Sequence, residues 1–127
     1  MNEKIDEGDL IKVYKFQINP DTETALSLEK KSQEHMFHLF KDIINQLANN
    51  IPLQRVKQPM DKGLYIDRKQ FEEMRFISLE DDSNEMIERK IRAFWYPPYE
   101  GAAIRVKDRE YTLVTREILR NIGKLIH

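Results

Sequence analysis

From Ile11 onward the chain alternates. Ile11, Val13 and Lys15 fall on one side, and Lys12, Tyr14, Phe16 and Ile18 on the other. A period of two in a run rich in β-branched and aromatic residues predicts a strand over 9–18, ended by the turn Asn19-Pro20-Asp21. The period then lengthens. Met36, Phe40, Ile43 and Leu47 recur at i, i+4, i+7 and i+11, with Phe37, Leu39 and Ile44 widening the stripe. This spacing predicts a long amphipathic helix over 24–49, capped by Asp21, Thr22 or Thr24 and stopped by Asn49-Asn50 and Pro52. A loop follows over 51–62, then a short strand at Leu64-Tyr65-Ile66. The stretch from Phe71 to Ile77 fits a helical turn that gives way to an extended segment.

The second half is more regular. Asp82 and Glu85 form a capping-box-like pair ahead of Ile87, Ile91 and Phe94 on one helical face, and Pro97-Pro98 cannot continue that helix. Residues 102–106 and 111–115 flank Lys107-Asp108-Arg109-Glu110, the pattern of a β-hairpin with a polar turn. Ile118, Ile122 and Leu125 predict a short terminal helix across Gly123. The expected class is α+β, in the order strand, long amphipathic helix, short strand, helix, C-terminal β-hairpin and short helix. One strand and one large helix do not complete a sheet, so the front of the chain is expected to pair with strands this sequence does not contain.

Composition narrows the chemistry. A chain of 127 residues with formal net charge -1 suits one compact core and gives no global case for binding nucleic acid. The absence of Cys excludes disulfides and thiol nucleophiles. No apolar run approaches the roughly 20 residues of a spanning helix, and the acidic opening residues lack the apolar core of a signal peptide. The expectation is therefore a cytoplasmic protein with no membrane partner. His35 and His38, at i and i+3, can lie close together, but a metal site needs further ligands. Packing or surface roles suit helical histidines beside Met36 and Phe37 better, so no metal is expected. The basic residues between Lys57 and Arg92, Arg75 among them, interleave with acidic ones and read as a solvated face, with an unspecific phosphate contact through Arg68 or Lys69. The cluster from Phe94 to Tyr99 reads as a rigid aromatic corner filling the core, or as a stacking platform for a sugar. Taken alone, Asp6 before Gly8 is ordinary turn chemistry.

A resemblance adds to this. Asn2-Glu3-Lys4-Ile5-Asp6-Glu7-Gly8-Asp9-Leu10-Ile11 resembles the loop of folate-dependent formyltransferases in which an Asp-x-Gly turn enters a strand. Ile87 to Ala102, running through Ile91-Arg92-Ala93, Pro97-Pro98 and Gly101-Ala102, resembles a segment of methionyl-tRNA formyltransferase-like proteins. It is most similar to the nucleotide-sugar N-formyltransferases. The resemblance implies transfer of a formyl group from 10-formyltetrahydrofolate to a primary amine by an Asn, His and Asp trio. It places Asp6 at the Asp position and Glu3, Lys4 and Ile5 against the folate, with a nucleotide-linked amino sugar as the acceptor; the platform reading of the aromatic cluster puts Trp95 and Tyr96 against that acceptor. The family's Asn and His precede that loop, in an H-x-S-L-L-P-like stretch that is absent here. The chain is therefore expected to match the carboxyl-terminal part of such an enzyme, with residues 1–50 ending the catalytic core and 51–127 forming a C-terminal subdomain. Its expected partner is the Asn- and His-bearing half or a homologous chain, with a homodimer as another possibility. A non-catalytic dimerisation or acceptor-binding module is the alternative reading. A methionyl-tRNA formyltransferase fragment ranks below both, because one hairpin is too little for that enzyme's added β-barrel and the charge is not basic.

Overall fold

A computed structural model of the chain describes residues 8–59 and 63–126, with the side chains of 125 and 126 left out. Among the described residues the elements are α1 (Ala25–Ala48), α2 (Arg68–Met74), α3 (Asn84–Ala93), β1 (Ala103–Val106), β2 (Arg109–Thr112) and α4 (Arg116–Ile126). The class is α+β and mainly helical, with one antiparallel hairpin. The chain divides into two compact units: Met1–Gln17 with Lys30–Tyr65, and Ile18–Glu29 with Ile66–His127.

In the first unit the strand expected over 9–18 is not formed. Leu10 alone pairs, in an isolated antiparallel bridge with Val56 whose two hydrogen bonds are 2.7 and 2.8 Å. Alternation sorts side chains onto faces but supplies no partner, and an unpartnered strand has no ladder to build. The sorting itself holds. Tyr14 and Phe16, two residues apart, both stack on His35 of α1, at 5.1 and 4.4 Å between ring centroids. Lys12 reaches Asp42 at 3.7 Å. The short strand at Leu64-Tyr65-Ile66 is likewise absent, and these residues are exposed and unpaired by any strand.

The second unit holds the core. Ile77, Ile91, Ala102 and Ile118 are buried together, with Ile87, Phe94, Trp95, Ile104, Leu113 and Ile122 packed around them. Each element is fixed locally. At the start of α1, Thr24 and Ser27 exchange backbone-to-side-chain bonds of 3.1 and 2.8 Å, a capping box with Ser in place of the usual Glu or Gln. The amide of Leu26, which has no partner within the helix, donates to the Trp95 carbonyl at 3.0 Å. Asp67 caps α2 and completes a capping box with Gln70. Ser83, not Asp82, caps α3 by accepting from the Met86 amide at 3.1 Å.

The hairpin is tighter than its sequence suggests. Val106 pairs with Arg109, so the loop is only Lys107-Asp108, and Lys107 takes a left-handed φ of 55°. That conformation fits the twist of a two-residue hairpin. Arg105 and Glu110 face each other across the ladder. On the other side of β1, Phe76 forms an isolated parallel bridge to Ala103, with hydrogen bonds from Ile77 to Ala103 and from Ala103 to Arg75.

Asp82 has a different task from capping. It accepts from the Ser78 amide at 2.9 Å and from Lys90 Nζ at 3.1 Å, while Lys90 also donates to the Phe76 carbonyl. The Ser78 amide first, then Lys90, hold the Asp82 carboxyl below its ordinary pKa. A carboxyl lowered in the fold contributes stability above its unfolded value, about 4, and loses it as pH falls through the folded value. Asp82→Asn is therefore expected to lower the melting temperature at pH 7, with the gap to wild type closing as the pH drops below about 4. Parallel melts across that range check it.

Candidate functional site

A cleft of about 760 Å³ opens in the second unit, within the size range of small-molecule sites. It is built where α2, the first turn of α1 and the loop after α3 meet. α2 contributes Phe71 and Glu72, its C-cap contributes Arg75, and the loop contributes Phe94, Tyr96 and Tyr99. Two aromatic pairs give it its apolar surface. Phe71 and Phe94 meet edge to face at 5.3 Å, and Tyr96 and Tyr99 lie tilted at 5.9 Å, both within the favourable range for ring contacts.

Arg75 organises the polar wall. It is buried, at 9% exposure, and its fork is committed. Nε donates to Glu72 at 2.9 Å, Nη1 to the Gly101 carbonyl at 2.8 Å, and Nη2 to Glu100 at 3.3 Å. Gly101 sits at φ 71°, a left-handed conformation open to Gly at no steric cost. The neighbouring Glu100 carbonyl accepts from Thr112 Oγ1 at 2.6 Å. One side chain from the C-cap of α2 and one from β2 thus pin the end of the aromatic loop. Tyr96 donates its hydroxyl to Glu29. That bond comes first among the causes that push its phenol pKa up, followed by desolvation, so Tyr96 is a neutral donor across the physiological range.

The chemistry this offers is specific in kind. Two carboxylates flank one guanidinium, each of whose nitrogens already donates one bond, and their charge disfavours Arg75 as a phosphate receptor. Aromatic surface beside fixed carboxylate acceptors suits a ring that carries hydroxyl or amino groups.

The residues singled out in the sequence are distributed unevenly. Asp6, Glu3, Lys4 and Ile5 lie outside the described residues. Tyr96 lines the cleft. Trp95 packs against the hydrophobic core, and its carbonyl holds the start of α1. His35 is taken up by its stack with Tyr14 and Phe16, and His38 lies beside Phe37. Among the described residues no three potential metal ligands gather, and no helix is long and apolar enough to cross a membrane. Arg68 and Lys69 are exposed on α2. Sequence reasoning missed Arg75, which it grouped with the solvated basic residues, and Phe71. The capping pair Asp67 and Gln70 was the available signal, because it fixes a helix on which 71 and 75 share a face.

Neither a scan of protein-family models nor a search of curated proteins finds a match to the chain. Among solved structures, a 4-N formyltransferase from Francisella tularensis matches with a TM-score of 0.76 and 24% sequence identity, over 91% of this chain and 47% of that one. Likeness at this identity establishes the fold. The chain carries the fold of part of a formyltransferase, and it spans about half the length of that protein.

Proposed function

We propose that this chain is the carboxyl-terminal portion of an N-formyltransferase that moves a formyl group from 10-formyltetrahydrofolate to a primary amine of a nucleotide-linked amino sugar. The observation that carries the reading is the fold match to a 4-N formyltransferase over nearly the whole chain. The residue resemblance at Asp6 and through Ile87–Ala102 supports it. Glu3, Lys4 and Ile5 are assigned to the folate through that resemblance alone.

In this reading the amine nitrogen bonds to the formyl carbon, the bond from that carbon to the folate nitrogen breaks, and the amine proton ends on the released folate. Asp6 acts as the carboxylate that orients a water or the family's His for that proton. Stabilisation of the developing oxyanion falls to the Asn- and His-bearing half. Acceptor contact falls to Tyr96 and the cleft around it, with Trp95 holding the loop from the core side. The nucleotide's phosphates stay outside the cleft, since its carboxylates repel them.

The test joins the chain to an Asn- and His-bearing formyltransferase half. It then measures folate-dependent formylation of nucleotide-linked amino sugars by mass spectrometry. Asp6→Asn is expected to lower turnover by about two to four orders of magnitude, and Tyr96→Ala to raise KM for the acceptor. No transfer with any such acceptor, or turnover indifferent to Asp6→Asn, would overturn the reading.

A further inference from the structure

A phenol carries one proton to donate and lone pairs that accept. Which of these a ligand meets depends on where the proton is already held. Tyr96 lines the cleft and is half-buried. Its proton goes to the carboxylate of Glu29, which is also half-buried. Glu29 follows Ala25, another lining residue, by one turn of α1 and so shares its face.

The backbone holds this pairing in place. The Leu26 amide donates to the Trp95 carbonyl at 3.0 Å, which ties the first turn of α1 to the residue before Tyr96. The Tyr99 amide donates to the Tyr96 carbonyl at 3.0 Å, and the two rings lie 5.9 Å apart. These contacts keep the Tyr96 ring against the turn of α1 that carries Glu29.

Polarity follows from charge. An ionised carboxylate accepts and never donates, so Glu29 fixes the direction of the Tyr96 proton. The phenol oxygen keeps its lone pairs for anything else that reaches it. Glu72 and Glu100, the carboxylates of the same cleft, also only accept, and the Arg75 fork is turned onto them and onto the Gly101 carbonyl.

We infer that Glu29 is a positioning residue that makes Tyr96 a hydrogen-bond acceptor toward the cleft, so that the cleft selects a ligand group that donates, a ring hydroxyl of an amino sugar. The amine is the reacting group in the proposed transfer, which leaves a hydroxyl as the donor. A group that only accepts, such as an ether, sets its lone pairs against those of Tyr96 and forfeits the bond. The inference rests on the formyltransferase reading for the class of sugar, while the polarity of the site rests on Glu29 and Tyr96 themselves.

The probe is the methyl glycoside of a 4-amino-4-deoxyhexose, titrated into the chain by calorimetry beside its 2-O-methyl and 3-O-methyl ethers. One ether is expected to bind at least about 10-fold more weakly than the parent. That gap should shrink to within about 3-fold in Glu29→Gln, whose amide can donate to the phenol and release its proton, and in Tyr96→Phe, which has no hydroxyl. A second readout needs no ligand. The bond to Glu29 holds the Tyr96 phenol above its ordinary pKa, so in Glu29→Gln the phenol is expected to ionise at lower pH in an ultraviolet titration, with Tyr96→Phe identifying its signal. Glu34→Gln, further along α1, should change neither readout, and circular dichroism shows that each variant folds. Selectivity that depends on Glu29, without formyl transfer by the joined enzyme, would sustain the inference while removing the proposed function. No binding of the glycoside to the wild-type chain, a gap unchanged in Glu29→Gln, or a Tyr96 titration indifferent to that change would overturn the inference.

Discussion

Arg75→Ala is expected to cost the chain about 3 kcal/mol of folding stability, as Arg75 is the buried charged side chain among the described residues. The guanidinium holds three acceptors at once: Glu72, the Gly101 carbonyl and Glu100. Without it the buried Gly101 carbonyl loses its donor and pays its desolvation without return, while Glu72 and Glu100, 51% and 78% exposed, turn to water and add little to the cost. Arg75→Lys keeps the charge but not the fork, so it is expected to recover only part of the loss. Urea unfolding of the three proteins checks the order. Because the aromatic loop ends on these bonds, the Ala variant is also expected to lose ligand binding in the cleft at urea concentrations where the chain is still folded.

Ile91→Ala is the second large effect, at about 3 kcal/mol. Ile91 is 6% exposed and sits in contact with the buried cluster of Ile77, Ala102 and Ile118. Its truncation leaves a void among Ile77, Ala102 and Ile118. The instructive control is Phe40→Ala. It removes more carbon, but from a side chain that is 58% exposed, so the cost to the chain alone is expected to stay within about 1 kcal/mol. Thermal and urea melts on both proteins make the comparison. A domain is stable by about 5–15 kcal/mol, so the Ile91 loss takes a substantial share of what holds the second unit folded.

The contrast between these two residues also explains what was legible in the sequence. Periodicity reports which side chains share a face; it located α1 to within a residue at each end and foresaw α3 and α4 as helices. It treats Phe40 and Ile91 alike, because it carries no information on what lies opposite. The same blindness turned the alternation of Ile11 to Ile18 into a strand, although only Leu10 finds a partner. Asp82 and Ser83 are both good caps by residue type. The choice between them was settled by Lys90, eight residues on, which takes Asp82 for itself. The hairpin loop came out shorter because Arg109 and Glu110, polar and turn-like in sequence, are strand residues whose side chains face solvent. In the cleft, the aromatic loop was visible as a cluster around Pro97-Pro98. Its partner wall was not, since Arg75 looks like any other charge on a basic stretch until a bond to Gly101, 26 residues away, takes it out of solvent.

The hairpin carries a last consequence, for how freely its sequence can drift. Gly101, Ala102 and Ala103 are all buried, and Ala102 and Ala103 are 1% and 3% exposed. Directly across the ladder from Ala103, Thr112 ends a strand that is exposed throughout. Added carbon at 102 or 103 meets a filled interior, and any side chain at 101 meets a left-handed backbone. On the facing strand, Arg109 to Tyr111 can change with little effect on the fold. The run Gly101-Ala102-Ala103 that enters β1 and the facing strand β2 thus sit at opposite ends of mutational tolerance, so a lineage of this chain can rewrite β2 while the entry to β1 stands still.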